Sequence, residues 1–227
     1  LGEIRSGLSN NYIDEIAIPA VSIELVITKF SYAADTIITN ITGGENISTF
    51  LQTIHSKYTL IDLHNDVLEV MIDLFYSELA VNTSTIEQAT TMDQSLQINE
   101  QNKIAAVIGV EGGHHIEESI DKLFQLYNSG MRYLTITWNN SVSWAISAAD
   151  SRTTTQGLNT FGRQVIRTLD SLGVIIDVSH TGIKTIQDIL QETSNPIIAT
   201  HSGARAVRNH TRNLYDWQIQ DIANSGG

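Results

Sequence analysis

The chain has 227 residues, 41% of them hydrophobic, with no cysteine and a formal net charge of −12. That length and apolar content support a folded core and exclude global disorder. The acidic balance without any basic run excludes a nucleic-acid binder, and the missing thiols exclude disulfide scaffolds, zinc ribbons and cysteine nucleophiles. A transition-metal site in this chain must therefore be built from His and carboxylates.

Residues 1–47 read as strands and turns. Ile16-Ala17-Ile18 and Val21–Ile27 are β-rich, and Ile37–Ile41 alternates before the Gly43-Gly44 break. This stretch carries no evident chemistry and is expected to be a β-rich N-terminal extension or module. Leu1–Ser9 lacks the basic-then-apolar layout of a signal peptide, and a chain opening on Leu is expected to be a processed product or a fragment. No apolar run is long enough to span a bilayer. Asn-x-Ser/Thr sequons at Asn40, Asn46, Asn82, Asn139 and Asn209 tilt the expected location towards secreted or extracytoplasmic, with the cytoplasm as the alternative.

From Ser48 the texture changes. Ser48–Lys57 predicts a short helix with Phe50, Leu51 and Ile54 on one face. Apolar runs then alternate with amphipathic segments. The runs are Tyr58–Leu63, Ile104–Val110, Tyr133–Thr137, Val174–Val178 and Pro196–Thr200. The helical segments carry Ile116 to Tyr127 closed by Gly130, Phe161 to Leu169 closed by Gly173, Ile183 to Leu190, and a last helix around Leu214–Ala223. Such alternation predicts an α/β fold with a parallel sheet covered on both faces. Residues 67–103 predict two helices, Val67–Tyr76 and Thr85–Gln97, with no strand between them. The five runs do not close an eight-stranded barrel: either the sheet is open, or residues 48–227 form an incomplete (β/α)8 TIM-barrel-like domain.

The residues that carry chemistry sit at the ends of these runs. His64 and Asp66 follow Ile61-Asp62-Leu63; two apart in a strand, they would project to the same face. Glu111 follows Val110 directly, His180 lies just past Val178, and His201 follows Thr200. A single core or loop histidine is ordinary. Several metal-competent residues sharing the C-terminal ends of parallel strands are not, because barrel active sites are assembled at that edge. Three imidazoles and two carboxylates without a thiolate suit zinc, with manganese or iron as alternatives, and one carboxylate can bridge two ions roughly 3.5–4 Å apart. Metal-assisted hydrolysis is the expected reaction.

The motifs Asp62-Leu63-His64-Asn65-Asp66, Gly109-Val110-Glu111-Gly112-Gly113-His114, Ile176-Asp177-Val178-Ser179-His180, Thr200-His201-Ser202 and Arg212-Asn213 occur in the order seen in the membrane (renal) dipeptidase family. The chain resembles that family over roughly residues 50–227. The resemblance implies that His64 and Asp66 bind one zinc, that His180 and His201 bind the other, and that Glu111 bridges them as the catalytic centre. It implies that Arg212 holds the terminal carboxylate of a dipeptide, a task suited to a planar guanidinium. A metal-bridging hydroxide attacking the peptide carbonyl, with one zinc stabilising the oxyanion, is the implied mechanism, and a homodimer the implied assembly.

Three departures accompany the resemblance. Trp138 stands where many members carry a substrate-contacting His, and is expected to pack or to line the pocket. The stretch before Glu111 is short and lacks the family's additional strand. The family's later Asp-bearing motif would lie beyond Gly227. These departures leave a second expectation, a structural or assembly protein retaining an inactive dipeptidase-like domain. Another metal-dependent amidohydrolase is a third. Among the remaining polar residues, His55, His114, His115 and His210 are expected to be structural or exposed. Asp150-Ser151-Arg152 is expected to rim the pocket, Gly112-Gly113 to make a tight turn, and Asp177 to support a ligand histidine by hydrogen bonding.

Overall fold

The computed structural model describes residues 22–27 and 66–227. The expected helix Ser48–Lys57, the run Tyr58–Leu63 and the boundary near residue 47 lie outside the described residues. The chain divides into two compact units, one within residues 18–108 and one over 109–227.

In the first unit, strand β1 (Ser22–Ile27) stands in the sheet beside β3, whose full span is Ile104–Glu111. Helix α1 (Asp66–Val81) buries Leu68 and Ile72. Between α1 and helix α2 (Met92–Glu100) lies a short strand, β2 (Ile86–Gln88), parallel to β3 with Ile86 opposite Ile104. This corrects the expectation of an uninterrupted helix over Thr85–Gln97. The Ile-Glu-Gln segment has one apolar residue and no visible alternation. It is a strand because β3 offers the complementary edge: the Ile104 amide donates to the Thr85 carbonyl at 2.8 Å, and the Ala89 amide to that of Ala106 at 2.8 Å. The helix begins only at Thr91, whose hydroxyl caps the Gln94 amide. Ala89, Ile98 and Ala105 pack together beneath it, with Val107 at the edge.

The second unit begins with the last residues of β3 and continues through β4 (Met131–Thr135), β5 (Ile175–Asp177) and β6 (Ile197–Ile198). β4 pairs in parallel with β5, and β5 with β6. Leu134, Ile136, Ile176, Val178 and Ile197 are buried, as a parallel sheet covered on both faces requires. Helices α3 (Ile120–Asn128), α4 (Thr160–Leu172), α5 (Ile183–Glu192) and α6 (Asp216–Asn224) follow the strands in turn. Ile116 is not in α3, as the periodicity suggested. It ends a 3-10 turn, Gly113–Ile116, separated from α3 by Glu117 and Glu118, both with positive φ.

Local chemistry explains the helix ends. Ser119 caps α3 and Asn159 caps α4 through side-chain oxygens, and Gly173 closes α4 at φ 66°. α4 buries Val165, Ile166 and Leu169; α5 buries Ile186 and Ile189. The two helices are also tied by charge. Arg163 pairs with Glu192 and with Asp188 (3.3 Å), and Arg167 holds the second Glu192 oxygen at 2.6 Å. These guanidiniums, Arg163 first, hold the Glu192 carboxyl below its ordinary value. A carboxyl depressed in the folded state stabilises the fold above its unfolded pKa and loses that contribution as pH falls through the folded value. Denaturation from pH 7 down to pH 2 is therefore expected to show a shallower acid limb in Glu192→Gln than in wild type. Identical limbs would remove the pair from the account of acid stability.

Candidate metal centre and its surroundings

Glu111, His180 and His201 all lie within the second unit. Glu111 is the last residue of β3. His180 lies three residues past β5, and His201 three past β6, so parallel strands deliver all three to one edge. Their ligand-type atoms lie within 4.8 Å of one another. His180 Nε2 is 2.9 Å, and His201 Nε2 3.2 Å, from the same oxygen, Glu111 Oε1. The two imidazoles meet edge to face with centroids 5.0 Å apart. Glu111 is 8% exposed and His180 7%.

The backbone beneath this cluster is held by close packing. A Cβ on Gly109 would fall inside the Tyr133 ring. Gly112 has φ 97°, a left-handed value that β-carbon-bearing residues avoid, and Gly113 lies against Trp144 and the Ile136 carbonyl. The amides of Gly112 and Gly113 donate to Thr135 and Ile136 at 2.9 and 3.1 Å, so β4 fixes where Glu111 points. His180 itself has φ 65°. That strained turn is pinned at its carbonyl, which accepts from the Ala148 amide (2.7 Å) and the Thr137 hydroxyl (3.0 Å).

Both imidazoles are oriented from behind. His180 Nδ1 is 3.0 Å from Asn139 Oδ1, and the Asn139 carbonyl accepts from the buried Ser147 hydroxyl at 2.9 Å. His201 Nδ1 is 2.7 Å from Thr200 Oγ1. The Thr200 hydroxyl donates to Asp177 Oδ2 at 2.7 Å, and Asp177 is fully buried. Asp177 accepts from Thr200 and not directly from a histidine; Thr200 in turn contacts His201. Each Nδ1 is turned outward to an oxygen, and each Nε2 faces the Glu111 carboxylate. Burial is the main cause holding His180 below its ordinary imidazole value, opposed by the Glu111 hydrogen bond and assisted by the Arg212 charge. Two imidazole nitrogens converging on one carboxylate oxygen make a donor set that suits zinc.

Arg212 and His180 both line a cavity of about 130 Å³, together with Ser202, Arg205, Asn213 and Tyr215. Arg205 lies over the Tyr215 ring at 4.5 Å and donates to Asn209 Oδ1 at 2.9 Å. Trp138, partly buried, stacks against His180 at 6.3 Å between centroids. It borders the cluster with an aromatic face. Asp150 is occupied by Arg152 and Ser141, so this loop is locked on itself.

The sequence profile of the membrane dipeptidase family (peptidase family M19) matches residues 42–227. The chain belongs to the membrane dipeptidase family. Dipeptidase 3 of Homo sapiens is 36% identical over 69% of this chain, and dipeptidase 3 of Mus musculus 37% over 57%. The chain spans 32% and 27% of the length of these two relatives. Among solved structures, a probable dipeptidase of Pseudomonas aeruginosa superposes with a TM-score of 0.67 at 26% identity. That match covers 70% of this chain and 41% of the other. A metallopeptidase of Rhodobacter sphaeroides, solved with a phosphinate mimic of the dipeptide L-Ala-D-Ala, gives 0.63 at 26% identity, covering 68% and 45%. The fold of this family is the TIM-barrel-like α/β arrangement expected from the alternating pattern.

Of the predicted ligand set, Glu111, His180 and His201 are brought together. Asp66 is the first residue of α1; its side chain, and all of His64, lie outside the described residues. His210 is exposed, its Nδ1 accepting from the Arg212 amide at 3.2 Å. His115 is buried in the 3-10 turn. β2 is a strand in the stretch before Glu111 where the sequence pattern predicts none. Sequence reasoning missed Asn139 and Thr200. In the sequence Asn139 reads only as a sequon, and Thr200 only as the neighbour of His201 in its motif.

Proposed function

We propose that the protein hydrolyses dipeptides at a binuclear zinc centre. The observation that carries this reading is the convergence of His180 Nε2 and His201 Nε2 on one oxygen of Glu111. His180 and His201 would hold one ion, His64 and Asp66 the other, and Glu111 would bridge them. When bound, the ions supply Lewis acidity, acidifying a shared water and polarising the scissile carbonyl.

The chain's own residues do the rest. Asn139 and Thr200 keep the imidazole lone pairs directed inward. Arg212, in the cavity that also reaches His180, would pair with the C-terminal carboxylate and set the scissile bond against the cluster. Trp138 shields His180 from solvent and presents an apolar face to a substrate side chain. Among the described residues no helix is long and apolar enough to cross a membrane. An extracytoplasmic setting fits the exposed sequon residue Asn209.

Chelation should abolish dipeptide hydrolysis, zinc should restore it, and binding should saturate at two ions per chain. Arg212→Ala should raise KM for free dipeptides about tenfold or more, with little effect on amidated ones. A metal-replete chain that turns over no dipeptide in a broad panel would leave the alternative, an assembly protein with an inactive dipeptidase-like domain.

A further inference from the structure

We infer that Asp177 and Thr200 form a positioning relay that fixes the tautomer of His201 and so its strength as a ligand; this rests on the metal-centre reading above. A carboxylate can only accept hydrogen bonds. Asp177 is fully buried and accepts from four donors: the Thr135 and Thr200 hydroxyls on Oδ2, both at 2.7 Å, and the Ser179 and Thr200 amides on Oδ1, at 2.9 and 3.1 Å. The single hydroxyl proton of Thr200 is thereby committed to Asp177. Thr200 Oγ1 can then meet His201 Nδ1, at 2.7 Å, only with a lone pair. It follows that Nδ1 carries the imidazole proton and Nε2 the lone pair, on the side that faces Glu111.

The relay also spans two strands. Asp177 ends β5, whereas Thr200 follows β6, so the parallel pairing of Asp177 with Ile198 brings donor and acceptor into register. Ser179 adds a second tie: its hydroxyl accepts from the His201 amide at 3.1 Å and lies 3.3 Å from Thr200 Oγ1. A buried negative charge at the far end of a hydrogen-bonded chain raises the basicity of the ligand nitrogen, and losing such support typically costs 10–100-fold in metal affinity.

Thr200→Val tests this with little risk to folding, because Asp177 keeps three of its four donors and the side-chain volume is preserved. Two readouts are taken on the full chain. Nitrogen-15 shifts of the His201 ring in the metal-free protein at pH 8 should show Nδ1 protonated in wild type and a mixture of tautomers in the variant. Zinc affinity, measured by competition with a chromophoric chelator, should fall about 10–100-fold and recover in Thr200→Ser. A purely structural threonine would move neither the tautomer nor its recovery with serine. A proton on Nε2 in wild type, or a valine variant with unchanged tautomer and affinity, overturns the relay. If wild type binds no zinc, the metal-centre reading fails, and the tautomer measurement still decides the relay.

Discussion

Glu111→Gln should reduce kcat/KM for dipeptide hydrolysis on the order of a thousandfold or more, about 4 kcal/mol in the barrier. The reason is geometric. One carboxylate oxygen faces both His180 Nε2 and His201 Nε2, at 2.9 and 3.2 Å. The amide replaces a charged, acceptor-only group with a neutral one that presents either a weaker acceptor or a donor. Neither would suit a cation that His180 and His201 would hold together with it. Zinc content per chain should fall together with activity, whereas the metal-free variant should unfold close to wild type, because no core packing is altered. Activity retained within about tenfold would show that Glu111 is not the centre of the site.

The second large effect concerns the fold beneath that centre. Gly113→Ala should destabilise the protein by about 3 kcal/mol and lower its melting temperature by about 5–10 °C. An added Cβ would stand 2.3 Å from Trp144 Cζ2 and 2.8 Å from the Ile136 carbonyl oxygen. Trp144 is 2% exposed and cannot swing away, and the carbonyl is the acceptor for the Gly113 amide itself. Relief therefore requires moving the turn that follows Glu111. Gly173→Ala is the control. Its Cβ would meet nothing within 4 Å, so its cost is that of the left-handed backbone alone, about 1 kcal/mol. Thermal unfolding of the metal-free proteins separates these effects from zinc binding. Equal losses for the two variants would mean that packing under the site is looser than these distances imply.

These effects differ in how far they can be read from the chain itself. Glu111, His180 and His201 were visible as metal-competent residues at the ends of apolar runs. Strand periodicity and the strand-end rule for barrels are local and general, so they survive without coordinates. The α4 and α5 helices were equally legible, since their apolar faces and the closing Gly173 are sequence-local features. Strand β2 was not. Ile86–Gln88 has no pattern of its own and is a strand because β3, sixteen or more residues further along, offers it an edge.

The amino-acid order alone determined the donor types, the exclusion of thiolate chemistry and the family likeness carried by five short motifs. Only the tertiary structure decided which oxygen the two imidazoles share, how Trp138 stands against His180, and that Asn139 and Thr200 hold the rings. The physical reason is range. Residue identity and periodicity report on neighbours along the chain, but a hydrogen bond of 2.7 Å between Thr200 and Asp177 depends on two strands pairing in one register. No spacing in the sequence encodes that distance; it exists only once β5 and β6 lie side by side.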